Sequence, residues 1–184
     1  MSLFDEAIKY VLSNEGELQE NANDPGGITN LGISLRFLKN IPEERLRGYG
    51  CICLSDDDFI TCIRKLTIEQ AKAIYLGEFW TQAPFAKIQF QDQANYIFDM
   101  AVNMGISPAI KCVQRAIWAV TKIWNVLVDD GVLGDQTLLR IATSGIFLMP
   151  ALRAERGCYY RELIERYPDK RDFLKGWLNR TYRE

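Results

Sequence analysis

Between Glu15 and Ser34 the chain reads Glu-Gly-Glu-Leu-Gln-Glu-Asn-Ala-Asn-Asp-Pro-Gly-Gly-Ile-Thr-Asn-Leu-Gly-Ile-Ser. Nowhere else does the backbone have so few choices. Upstream, Leu3, Phe4, Ala7, Ile8, Val11 and Leu12 recur at helical spacing, and Ser2 with Asp5 has the pattern of a capping box. The helix has to stop before Asp24, Pro25, Gly26 and Gly27, which together demand a tight turn. Thr29, Leu31 and Ile33 then alternate as a short strand. The expected local structure is a helix end facing a small hairpin.

Glu15 falls in the last turn of that first helix, next to its apolar stripe. Both the negative end of the helix dipole and the apolar surroundings oppose ionisation there, so a raised pKa is expected. Asp24 sits among free backbone amides of a Gly-rich turn and is expected to stay ionised. Two carboxyl groups pushed in opposite directions suit the acid and the water-activating partner of a glycosidase. The plain alternative is a solvated glutamate followed by a turn that is only a turn.

Composition narrows the chemistry further. The 184 residues contain no histidine, which removes Ser-His-Asp and Cys-His mechanisms and leaves little to bind zinc. Carboxylates become the default acid and base, and neither a metal nor a cofactor is expected. Lys and Arg total 22 against 24 Asp and Glu, so there is no electrostatic case for a nucleic-acid partner. With 48% hydrophobic residues the chain can build one substantial core. No stretch is apolar for long enough to span a bilayer, and the N-terminus lacks the pattern of a secretory signal, so synthesis in the cytoplasm is expected. Five cysteines, Cys51, Cys53, Cys62, Cys112 and Cys158, include no CxxC pair. They read either as free thiols or as containing a Cys51–Cys62 bridge.

Further along, Ser34, Ser55 with Asp58, and Thr67 with Gln70 are helix-start signals, and 47–55 reads as an irregular insertion. Tyr75 and Trp80 are either core aromatics or sugar platforms. A central helix is expected from about Gln93 to Met104, in which Asp99 can pair with an arginine. Asn103 can either donate to a ligand or close the helix. Ser107-Pro108 signals another helix, and Asp130-Gly131-Val132-Leu133-Gly134-Asp135 reads as a tight turn with Asp135 as N-cap. Pro150 opens a long helix, and Asp169 caps a last one. Arg153, Arg156, Arg161, Arg166, Arg171, Arg180 and Arg183 read as a solvated basic face or a binding patch.

These residues resemble a known family. Glu15-Gly16, Asp24-Pro25-Gly26-Gly27, Thr29-Asn30 and Gly32-Ile33-Ser34 look like the signature of glycoside hydrolase family 108, bacterial and phage lysozymes that include secretion activator proteins. Tyr75, Phe79-Trp80, the run Asp99 to Gly105, Gln114, Asp130-Gly131 with Gly134 and Thr137, and Phe173 with Gly176-Trp177 and Asn179-Arg180 follow in the family's order. Glu17, Leu18 and Glu20 depart from it, standing where a glycine, an aromatic and a less acidic run are usual.

The resemblance implies a mainly α, lysozyme-like helical fold with a small β-hairpin beside the catalytic helix. It divides the chain into a catalytic region, 1–106, and a helical peptidoglycan-binding-like region, 107–184, packed as one globular unit. It also implies cleavage of the β-1,4 bond between N-acetylmuramic acid and N-acetylglucosamine in peptidoglycan, with Glu15 as the acid. A looser likeness to phage T4-type lysozymes gives Asp24 and Thr29 the task of positioning water. Asn30, Tyr75, Trp80 and Asn103 are the candidate substrate contacts. The implied partner is the peptidoglycan glycan strand, reached by a holin, by lysis or by an export system, without stable membrane insertion. The other readings are a lytic transglycosylase and a non-catalytic wall-binding or secretion-accessory protein.

Overall fold

Helix α1 (Leu3–Asn14) buries Ala7, Ile8 and Val11 completely, the stripe that its spacing predicts. The computed structural model describes residues 3–14, 18–20, 27–123 and 126–183. Glu15, Asp24, the turn through Gly26, the Ser2 cap and the departure at Glu17 lie outside the described residues.

Three short strands, β1 (Gln19–Glu20), β2 (Ile28–Asn30) and β3 (Ile33–Ser34), form an antiparallel sheet in that order. Thr29 pairs with Gln19 on one side and with Ser34 on the other, and Asn30 pairs with Ile33. The expected single strand through Thr29, Leu31 and Ile33 is therefore folded back on itself. Leu31 (φ 50°) and Gly32 (φ 75°) form a two-residue turn with both residues left-handed. That turn matches the strand twist, and a leucine at its first position gives no sequence warning.

Local capping chemistry starts the next helices as expected. Ser34 Oγ accepts from Phe37 N (3.1 Å) to open α2 (Leu35–Lys39). Helix α3 (Glu43–Gly48) follows Pro42 and takes up the start of the expected insertion, leaving 49–55 irregular. Ser55 caps α4 (Asp56–Arg64), and Asp58 returns bonds to Leu54 N and Ser55 Oγ, which hold its carboxyl below its usual range. Thr67 and Gln70 close a reciprocal capping box on α5 (Ile68–Glu78).

Helix α6 (Gln91–Met104) is central: eight of its residues, including Tyr96, Phe98 and Asp99, are buried, and α1 and α7 both pack on it. Gly105 (φ 93°) breaks the chain sharply, and α7 (Ile106–Thr121) begins at the next residue, ahead of Ser107-Pro108. Helix α8 (Asp135–Thr143) takes Gly134 as N-cap, so Asp135 is its first residue and not its cap. Helix α9 (Leu148–Arg166) lies along α7, and a 3₁₀ segment Pro168–Phe173 leads into α10 (Leu174–Tyr182), which packs on α9. No helix among the described residues is long and apolar enough to cross a membrane.

The Asp130-Gly131 turn is held from within by Gln114. Its Nε2 donates to Asp130 Oδ1 (2.8 Å), Val132 O and Thr137 Oγ1, and its Oε1 accepts from Gly131 N (3.0 Å). Gly131 (φ 77°) lies so close to Ser107 that an added Cβ would meet the Ser107 carbonyl at 2.8 Å. Gly131→Ala is therefore expected to destabilise the fold by about 1–3 kcal/mol, through the left-handed backbone and the overlap together. Chemical denaturation measures this; an unchanged midpoint would contradict the geometry.

The five cysteines are free thiols. Cys51 and Cys53 of the 49–55 segment cluster with Cys62 of α4. Burial pushes the Cys53 thiol up to about 12, and a hydrogen bond with Cys51 raises that of Cys62.

Candidate functional site

A polar groove of about 360 Å³ opens where the hairpin turn, α2, α5 and the C-terminal end of α6 converge. Its walls carry Ser34, Phe37 and Asn40 from the hairpin and α2, Tyr75 and Phe79 from the end of α5, and Asn103 from α6. The rings of Phe37, Phe79 and Tyr75 form a run, with centroids 5.4 and 5.9 Å apart. Apolar ring faces beside amide and hydroxyl groups suit a sugar, which presents both C–H faces and hydrogen-bonding edges.

The Tyr75 hydroxyl donates to Leu31 O (3.0 Å), tying the hairpin turn to α5. Asn103 lies in the groove, whereas Tyr75 is 1% exposed and forms its buried floor, the core aromatic of the two readings. Thr29 pairs across the sheet with Ser34, a groove residue, so the two share a face of the hairpin. Asn30 points the other way: its Nδ2 donates to Ile63 O (2.9 Å), and the residue is buried against α4. Trp80 is 7% exposed and sits in an aromatic cluster, 5.4 Å from Phe4, 5.6 Å from Phe85 and 5.0 Å from Phe98. It borders a separate recess with Leu3, Phe4 and Leu76. Phe37, Ser34 and Asn40 are groove residues that sequence reasoning did not single out for binding. Phe37 lies 42 positions from Phe79, and no local pattern joins them.

A buried ion cluster lies one turn along α6 from Asn103. Asp99 is fully buried and accepts from Arg156 Nη1 (2.8 Å), from Arg180 Nη2 (2.6 Å) and Nε, and from Asn14 Nδ2 (3.3 Å). The anticipated Asp99–Arg pairing is therefore present, with two partners. Arg156 is the correction to the solvated basic face: it is 0% exposed, between the rings of Tyr96 (5.2 Å) and Tyr160 (5.8 Å). Burial works against its charge, but Asp99 and the two phenols outweigh that and raise its pKa. Its Nε donates to Tyr160 OH, which donates in turn to Asn103 Oδ1 (2.5 Å). This fixes the Asn103 amide with its oxygen on Tyr160 and leaves its two N–H donors without a partner among the described residues, beside the groove.

The same cluster positions the end of α1. Asn14 is gripped by Asp99 and by Arg183, whose Nη1 donates to Asn14 Oδ1 (3.0 Å) and Ser13 O (3.2 Å). The residue that follows is Glu15. Asp99, which holds Asn14, and Asn103 are one helical turn apart on the same face of α6. No group of three or more carboxylates or thiols among the described residues is arranged to hold a metal ion.

Comparisons with known proteins agree with this architecture. The family model described as Glycosyl hydrolase 108 matches residues 8–105, and the one described as Predicted Peptidoglycan domain matches residues 108–182. Among curated proteins none matches the chain. The solved structure of Brucella abortus SagA is similar in fold, with a TM-score of 0.70 at 24% identity, over 98% of this chain and 90% of that one. The mainly α, lysozyme-like fold with its small sheet is thus the one anticipated from sequence. The first match alone spans more than half of the chain, and the protein belongs to glycosyl hydrolase family 108, as a peptidoglycan-related glycoside hydrolase.

Proposed function

We propose that the protein is a muramidase, hydrolysing the β-1,4 bond between N-acetylmuramic acid and N-acetylglucosamine. Glu15 acts as general acid, and Asp24 and Thr29 position the attacking water. Supporting this reading is the way Asn14, one residue before Glu15, is held between Arg183 and Asp99, the latter one helical turn from Asn103 on α6. In the groove, the N–H donors of Asn103, without a partner among the described residues, suit the carbonyl of an N-acetyl group, and the half-buried rings of Phe37 and Phe79 suit the face of a pyranose ring. Residues 1–106 carry the reaction, and 107–184 hold the wall and brace the catalytic segment. The enzyme reaches the wall after release or export from the cytoplasm.

Digestion of purified peptidoglycan, followed by mass spectrometry, tests the reaction. A hydrolase leaves reducing ends, whereas a lytic transglycosylase leaves 1,6-anhydro ends lighter by one water. Reducing-end muropeptides are expected. Anhydro products would replace hydrolysis with transglycosylation, and an undigested wall would favour a binding role.

A further inference from the structure

A second recess, of about 360 Å³, lies across the junction of the two matched segments. It is lined by Tyr10 of α1, Asp92, Asn95 and Tyr96 of α6, Met149 and Arg153 of α9, and Arg183 after α10. Two guanidinium groups therefore face one cavity. Arg153 forms no ion pair among the described residues, and its Nε is buried without a hydrogen-bond partner. Such an arrangement is costly for the folded protein alone and favourable once an anionic oxygen arrives. Arg183 already donates to Ser13 O and Asn14 Oδ1 through Nη1. The exposed carboxylate of Asp92 stands on the rim, as a partner for a cation.

We infer that this recess binds the peptide stem of peptidoglycan, taking a carboxylate on Arg153 and Arg183 and the ammonium of a diamino acid on Asp92. The inference rests on the proposed muramidase reading, which places the glycan strand in the groove at Asn103. Asn103 lies eight positions after Asn95 on α6, about 12 Å at the helical rise. A peptide of three or four residues, extended from the lactyl group of a sugar in the groove, spans roughly 10–14 Å. One substrate can therefore reach both places. A bare carboxylate satisfies the arginines but leaves Asp92 unused, and a cationic peptide meets repulsion from both guanidinium groups. The zwitterionic side of a diamino acid satisfies all three.

The test compares wild type with Arg153→Gln on two substrates: intact sacculi, and glycan strands stripped of peptides by an amidase. The variant is expected to release reducing ends from intact sacculi about tenfold more slowly at low substrate, and to match wild type on stripped strands. Calorimetry with a synthetic stem tripeptide ending in a diamino acid is expected to show binding to wild type and about tenfold weaker binding to Arg153→Gln, with acetate as the comparison ligand. Equal behaviour of the two proteins on intact sacculi, or acetate binding as tightly as the tripeptide, would overturn the assignment. Should wild type cleave neither substrate, the muramidase reading falls, and the calorimetry still decides the recess on its own.

Discussion

Replacing Asp99 by alanine is expected to cost about 3–5 kcal/mol of stability, the range for removing one partner of a buried ion cluster. The reason lies in what remains. Arg156 is sealed from solvent and Arg180 is 11% exposed, and both direct their donors at the two Asp99 oxygens. Without the carboxylate, two positive charges are left close together, only one of them near water. At about 2–4 °C per kcal/mol for a chain of this size, the midpoint of thermal unfolding should fall by roughly 6–20 °C. Asp99→Asn keeps the shape and loses the charge, so it should fall between wild type and alanine. The double change Asp99→Leu with Arg156→Met should cost less than the sum of its parts, because the second substitution removes the charge stranded by the first. An Asp99→Ala protein within about 1 kcal/mol of wild type would mean that the cluster is not what holds α9 and α10 to α6.

The second large effect concerns the reaction. Glu15→Gln should lower clearing of permeabilised cells by about 10²-fold or more, the usual contribution of a general acid, while the unfolding midpoint stays where it was. Glutamine fills the same volume and cannot deliver a proton, which separates acid catalysis from packing. Glu17→Gln is the necessary companion, since a second carboxyl lies two residues away. Loss confined to Glu15 fits the proposal. Unchanged clearing by Glu15→Gln, or an equal loss in both variants, moves the acid elsewhere.

What could be read from the sequence was mostly chemistry that acts over three or four residues. Ser34, Ser55 with Asp58, and Thr67 with Gln70 announced their helices because each cap bonds a backbone amide three positions on. The core stripes of α1 and α6 were equally legible from spacing. The second turn of the small sheet, at Leu31-Gly32, was not, because Leu31 continues the apolar alternation while its backbone turns left-handed. Arg156 was hidden for a different reason. Helix α9 carries charged and apolar residues around its whole circumference, and the carboxylate that makes one arginine internal lies 57 positions earlier. The site divided along the same line. Tyr75 and Asn103 were named from the sequence, whereas Phe37 joins them only through tertiary packing, and Asn30 is occupied by α4.

The Asp99 cluster also bears on how the gene can be handled. Arg156, Tyr160, Arg180 and Arg183 all come from beyond residue 105, yet between them they steady Asn14 and orient Asn103. A fragment shortened to the first matched segment would forfeit the struts that hold Asn14 and Asn103 in place. Chimeras that exchange the rear portion between relatives must carry these four side chains across with it.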